Sequence, residues 1–421
     1  MSNRFKGILK PLSLALNLAM LATTMAVAPS VGLTQAQAQV KDVKVALIVP
    51  LSGAWARNGE VHMLGAKAAI EDINAAGGIK SMGGAKLQLV VADAGDNIEK
   101  AKSAAQRLID QEPDLIGGTG AFVSSFTLAV TEVTERAELP WLTLSYADSL
   151  TNRGYKYVFQ TSAPASVQAA NFLPAVIKLA ADTTGKAVAT VGIVMDNTAS
   201  PVGLTKPLRE GGFQKHGLKL VADEIYTPPL SDATSLVQKL RNTRPEFALM
   251  LTTNTADSKL LLEKMDEMGL GQGRIPMINN GSAMAVPDML KLVKKETLEG
   301  VMIVIANWPG KSQAALVESF RKRTGEAWMT QDSISTYGDM WIFKEALEKA
   351  GVADRKKVAE AIRKMDTTTG PANYFPGGRL RFDEKGRRVD ADVVLLQWQN
   401  GVPVPVYPAD IAAGKLVWPK K

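Results

Sequence analysis

The chain has 421 residues, with Lys and Arg outnumbering Asp and Glu by 49 to 42 and no cysteine. That length suits two α/β domains better than one, and the missing cysteines exclude disulfides, thiolate metal sites and cysteine nucleophiles. Basic residues are spread along the chain, so the clustered footprint of a nucleic-acid binder is absent.

Met1 to Ala38 reads as a secretory signal peptide. Arg4, Lys6 and Lys10 form a positive head, Leu12 to Val31 is apolar, and Ala36-Gln37-Ala38 offers small residues for cleavage before Gln39. Its removal takes the formal charge from +7 to +4. No later stretch is long and apolar enough to span a bilayer. Val43 to Val49, rich in β-branched residues, predicts a strand buried on both faces. Pro50-Leu51-Ser52-Gly53 ends it, and Met63, Ala66, Ile70 and Ile73 follow at helical spacing up to Gly77-Gly78. The turn between them lies at the carboxyl end of a strand, where open α/β sheets bind ligands, and this makes Ser52 a candidate contact.

Lys86 to Ala92 predicts a second strand, and Ile98 to Asp110 a helix with Ala101, Ala105 and Leu108 inward. Asp114 to Gly118 is a third strand, turning through Gly118-Thr119-Gly120 into a helix that Ser124 or Ser125 can cap and that runs to Ala137. Pro140 to Leu144 is a fourth, ending in Ser145-Tyr146-Ala147-Asp148. Strands alternating with helices at this spacing predict a parallel sheet. The pattern then restarts: strand Ala187 to Met195, helix Pro201 to Lys215, strand Leu218 to Asp223. Gln106-Arg107-Leu108 and Glu112-Pro113-Asp114 match Gln238-Lys239-Leu240 and Arg244-Pro245-Glu246. A repeated lobe is the economical reading, and it makes the loops Gly120–Ser124 and Thr252–Thr255 equivalent. Crossings between lobes are expected at Val158 to Thr161, at Gly300 to Ala306 and at Val393 to Trp398. A helix from Ser335 to Gly351 is assigned back to the first lobe. Lobe 1 is then 39–161 and 303–390, and lobe 2 is 162–302 and 391–421. The expected fold is α/β, two doubly wound Rossmann-like lobes joined by a multi-strand hinge.

Enzyme signatures are missing. Gly310-Lys311-Ser312 lacks the upstream glycine of a phosphate loop, and Gly118-Thr119-Gly120 lacks the third glycine of a dinucleotide fingerprint. There is no Gly-x-Ser-x-Gly elbow. The two histidines, His62 and His216, fall in different lobes. No catalytic residue, cofactor or metal site is therefore expected.

Several segments together carry a resemblance. They are Pro50-Leu51-Ser52-Gly53, Asp72-Ile73-Asn74-Ala75-Ala76-Gly77-Gly78-Ile79, Asp93, Leu139-Pro140, Leu150-Thr151-Asn152-Arg153-Gly154-Tyr155 and Tyr337-Gly338-Asp339. In this order and spacing the chain resembles the leucine/isoleucine/valine-binding family of periplasmic solute-binding proteins. The resemblance implies a monomeric periplasmic receptor that closes two lobes on an amino acid or organic carboxylate and presents it to permease subunits of an ABC importer. It also implies site residues: Ser124 for a ligand carboxylate, backbone groups of Ser145 and Ala147 for the polar head, Trp55 over the apolar part, and Tyr337 near the cleft. Asn254 and Asn280 sit at second-lobe strand ends facing the cleft, while Phe122 and Tyr146 offer an aromatic wall. Arg57 reads as a solvated loop charge or, alternatively, a clamp on a carboxylate. One departure stands out. Where the family pairs an α-ammonium with an acid in the second lobe, this chain has Ile278-Asn279-Asn280-Gly281-Ser282. An ammonium would need Asp148 or carbonyl oxygens, and room is left for a carboxylate without an amine, its aromatic body against Trp55, Phe122 or Tyr146. A ligand sensor on the same scaffold, or a cleft enzyme using carboxylates, are the other readings.

Overall fold

The computed structural model describes residues 40–409 and 411–418, and the expected signal peptide, residues 1–38, lies outside them. Strand β1 (Val43–Val49) pairs in parallel with β2 (Leu87–Asp93) and β3 (Leu115–Gly120). Strands β4 (Trp141–Thr143) and β5 (Val158–Gln160) extend the sheet in parallel, giving the order β2-β1-β3-β4-β5. The second sheet repeats this order with β6 (Thr190–Asp196), β7 (Lys219–Tyr226), β8 (Phe247–Leu251), β9 (Met277–Asn280) and β10 (Met302–Ile305). Two antiparallel strands, β11 (Val394–Gln399) and β12 (Val402–Tyr407), finish its far edge.

Alternation along β1 shows why the first lobe is covered on both faces. Val43, Val45, Leu47 and Val49 enter one core with Ala66, Ala69 and Ile73 of helix α1 (Ala56–Ala75), whereas Ala46 and Ile48 enter another with Ala101 and Ala105 of α2 (Ile98–Gln111) and Phe126 and Val130 of α3 (Ser124–Arg136). In the second lobe, α4 (Ala165–Thr184) and α5 (Ala199–Pro207) cover one face, and α6 (Thr234–Thr243) and α7 (Thr255–Glu267) the other. After β10 the chain returns through α8 (Ala314–Thr324) to α9 (Gln331–Ala350), which packs along α1, and then to α10 (Arg355–Arg363). Each lobe thus receives helices from across the hinge: α4 for the second, and α9 with α8 and α10 for the first. Gly117 makes the second exchange possible. A Cβ there would lie 2.3 Å from the Phe343 ring of α9.

Three expectations are corrected. The strands at the crossings belong to the lobes, and the crossings are the loops beside them. β10 in particular pairs with β9 and β11 in the second sheet, so a boundary between 302 and 303 would cut it at its first residue. The helix expected over 201–215 breaks after Pro207. There Gly211 takes φ of 112°, because Pro207, Gly211 and Gly212 cannot sustain a regular helix. Helix α9 starts a turn before Ser335, where Thr330 accepts from the Ser333 N–H at 3.3 Å.

Candidate ligand-binding site

The carboxyl ends of both sheets face each other, and between them lies a cavity of about 370 Å³, counting its mouth. Phe122, Ser124, Leu144, Ser145, Tyr146 and Gln331 line it from the first lobe; Ser200, Thr252, Thr253, Asn280, Ser282 and Ala283 are among those that line it from the second. Apart from the Tyr146 phenol, whose pKa is raised by burial against its hydrogen bond to Gln331, no lining side chain is an acid or a base.

Each polar lining group can be read for what it has left to offer. The Ser124 Oγ accepts from the N–H groups of Tyr146 and Ala147 at 3.1 and 3.2 Å, which leaves its own proton without an acceptor among the described residues. Helix α3 has Val123 at its N-cap and no side-chain cap, so N–H groups of its first turn are also open. The Gln331 carboxamide oxygen accepts from the Tyr146 hydroxyl at 2.7 Å and from the Ala306 N–H at 3.1 Å; what remains to it is its NH2. Asn280 is the reverse: its Nδ2 donates, and its buried Oδ1 has no partner. Among the buried carboxamides of the wall, the first lobe therefore presents a donor and the second an acceptor, and the Ser200 hydroxyl of the second lobe also has no partner among the described residues.

Contacts across the cleft hold the lobes together. The Trp55 Nε1–H donates to Thr253 Oγ1 at 3.2 Å. Arg57 bonds Asp288 of the second lobe, Glu326 and Glu60; burial opposes its charge, but the three carboxylates more than offset that and raise its pKa. Asp332, wholly buried, accepts from Ser282 of the second lobe and from Asn58, and its other oxygen stands 3.9 Å from His62 Nε2. Burial raises the Asp332 pKa against the pull of His62 and these donors.

Of the residues singled out in the sequence, Phe122, Ser124, Ser145, Tyr146 and Asn280 come together on the cavity wall. The others fall elsewhere. Ser52 is exposed and faces Asp93, because the turn ends outside the cleft. Trp55 is buried against Phe126, with ring centroids 5.3 Å apart, and reaches Thr253 instead of the cavity. Ala147 touches the site only through its N–H on Ser124. Asn254 caps α7, accepting from the Asp257 N–H at 2.8 Å. Tyr337 packs in the first-lobe core, where its hydroxyl donates to Asp72 at 2.7 Å. Even Ser145, though on the wall, is occupied: its Oγ meets Thr127 at 2.7 Å and donates to the Phe122 carbonyl at 2.8 Å. Arg57 is a clamp, but on this protein's own carboxylates. Gln331, Thr253 and Ser282 were not singled out: the polar run Thr330-Gln331-Asp332-Ser333 ahead of an apolar helix was the signal for Gln331, and Thr253 and Ser282 stood inside the segments Thr252–Thr255 and Ile278–Ser282 without being picked as contacts.

A family model described as periplasmic binding protein matches residues 42–402. The chain belongs to the periplasmic binding protein family. As such it is a binding protein and not an enzyme. It is 28% identical over 389 residues, covering 90% of this chain and 94% of the relative, to Leu/Ile/Val-binding protein homolog 7 of Brucella suis biovar 1. Two solved structures share the fold. The leucine binding protein LivK of Thermotoga maritima superposes with a TM-score of 0.73 at 21% identity, over 88% of this chain and 99% of that one. A solute binding protein of an ABC transporter from Rhodopseudomonas palustris BisB5, in complex with 3,4-dihydroxybenzoic acid, gives 0.72 at 18% identity, over 88% and 98%. The two lobes with a cleft between them are thus the form of this periplasmic binding protein family.

Proposed function

We propose that this protein captures a small organic acid lacking an α-amino group in the interlobe cavity, in the periplasm, and delivers it to the permease subunits of an ABC importer. The observation that carries this reading is the polarity of the wall. Ser124 O–H, the open first turn of α3 and the Gln331 NH2 are donors suited to a carboxylate, and no acid lines the cavity to receive an ammonium. A buried ammonium with no such partner is costly. The Rhodopseudomonas palustris relative, bound to an aromatic acid, supports the same class. Ligand touching both lobes favours the closed form, which the membrane subunits then distinguish from the open one.

The rival is an α-amino acid, in keeping with the names of the Brucella and Thermotoga relatives. Asp332 would then have to serve the ammonium, although it already accepts from Ser282 and Asn58. A thermal-shift comparison of leucine with 4-methylpentanoate, the same skeleton without the amine, decides between them. A folded-state ligand raises the midpoint by mass action, so the amine-free acid should raise it more. A larger shift with leucine would overturn the proposal.

A further inference from the structure

Asn280 Oδ1, a buried acceptor on the cavity wall without a partner among the described residues, is fixed by a residue that does not line the cavity. Gln168, on α4 and wholly buried, donates through Nε2 to the Ala163 carbonyl at 2.7 Å. A carbonyl can only accept, so the Gln168 NH2 must face Ala163 and its Oε1 must face Asn280. That oxygen accepts from Asn280 Nδ2 at 2.7 Å, and the Val304 carbonyl, 3.3 Å from the same nitrogen, makes the same demand. Both Asn280 amide protons are thereby turned away from the cavity that Asn280 lines. Its Oδ1, in a residue 5% exposed, is left without a donor.

We infer that Gln168 is a positioning residue that sets ligand specificity: by fixing the Asn280 carboxamide it makes the second-lobe wall an obligate acceptor, and the ligand it selects carries a neutral hydroxyl or N–H donor in addition to its acid group. The inference rests on the organic-acid reading above. A buried acceptor left unpaired costs free energy whatever else the ligand contributes, so an acid that brings the donor outcompetes one that does not. A neutral donor suits a single amide oxygen. An ammonium needs several acceptors, and Asn280 supplies one.

Calorimetry on the full mature chain tests this with matched probes: benzoate against 2-, 3- and 4-hydroxybenzoate, and 4-methylpentanoate against 2-hydroxy-4-methylpentanoate. In the unaltered protein the best hydroxy acid of a series should bind at least about tenfold more tightly than its parent acid. Gln168→Met, close in volume but unable to hold Asn280, should let that carboxamide turn and shrink the ratio to about threefold or less. Gln168→Glu, still able to accept from Asn280, should restore it. The ratio is the readout, because a merely structural Gln168 would weaken every ligand equally. Acids that bind with no preference for the hydroxyl would overturn the inference and leave the organic-acid reading standing. If none of the six binds, both fall. A preference that survives Gln168→Met overturns the role of Gln168, whatever Asn280 does.

Discussion

Two loops at equivalent strand ends, one per lobe, differ in how much of their hydrogen bonding is already spent. After β3 the chain takes φ of 114° at Gly120, 65° at Ala121 and 54° at Phe122, an arrangement that costs about 1–3 kcal/mol at each non-glycine residue. The helix it enters has no side-chain cap, and the Ser124 hydroxyl keeps its proton. After β8 the backbone is unstrained, and of the side-chain groups there only Asn254 Nδ2 is buried without a partner among the described residues. Asn254 sits at an ordinary φ of −132° and caps α7, Thr252 meets Ser258 at 2.6 Å, and Thr253 donates through N–H and O–H to Asp196. Backbone strain next to open donors in one loop, and an unstrained loop whose hydroxyls are all bonded in the other, support the proposal that lobe 1 reads the acid group. On the proposed reading lobe 2 acts mainly as a lid, with the Asn280 oxygen as its buried unpaired acceptor on the cavity wall.

The strongest way to break that contrast is Gly120→Val. A Cβ at Gly120 would fall 2.2 Å from the Ile48 carbonyl, in a backbone conformation side chains rarely adopt. A loss of about 4 kcal/mol in urea unfolding is expected. Thr252→Val, at the matching place, removes hydroxyl bonds to Ser258 and Asn279 and should cost only about 1–2 kcal/mol. Equal losses would mean the two loops are equally strained.

A second contrast concerns buried carboxylates. Asp196 in lobe 2 accepts four bonds, from the N–H and O–H of Thr198 and of Thr253. Asp339 in lobe 1 has an oxygen with no partner, and burial pushes its carboxyl up to about 7, only partly offset by the hydroxyls of Thr119 and Thr161. An unfolded Asp has released its proton above about pH 4. Between there and about pH 7 the folded state holds a proton that the unfolded state lacks, so stability is greatest at the acid end and falls as pH rises through the folded value. Asp339→Asn should flatten that fall by about 2–4 kcal/mol across unfolding curves from pH 4 to 8. An unchanged slope would hand the effect to Asp332 or Asp196, whose pKa values burial also raises.

The fold was legible because its signals are local. Six apolar residues among the seven from Val43 to Val49, helical spacing behind them, and a matching set of segments in the second half are enough to foresee two sheets of one topology. The wall positions of Phe122, Ser124, Tyr146 and Asn280 were legible too, since they lie at or within a few residues of strand ends. What escaped depends on partners far away in sequence. Arg57 finds Asp288 and Glu326 at separations of 231 and 269 positions, and nothing near it distinguishes that clamp from a solvated charge. Tyr337 shows the limit of periodicity: spacing places it on a helix, but α9 is buried on most sides, so no polar face marks which way the ring turns. Gln331 was hidden because a polar first turn reads as loop.

The smaller effects sharpen the comparison most, because they separate binding from folding. Ser124→Ala removes one donor to the ligand and should weaken the binding of whichever hydroxybenzoate binds best by about 1–3 kcal/mol, read by calorimetry. Asn254→Ala removes a cap and should leave that affinity unchanged while lowering unfolding stability. Caps of this kind contribute about 1 kcal/mol. Here the contribution is held down, since folding also buries the Asn254 Nδ2 without an acceptor, and alanine relieves that burial while losing the bond to Asp257. The expected loss is therefore about 0.5 kcal/mol. Should Asn254→Ala weaken the acid as much as Ser124→Ala does, the second-lobe loop would be reading the ligand as well, and lobe 2 would be more than a lid.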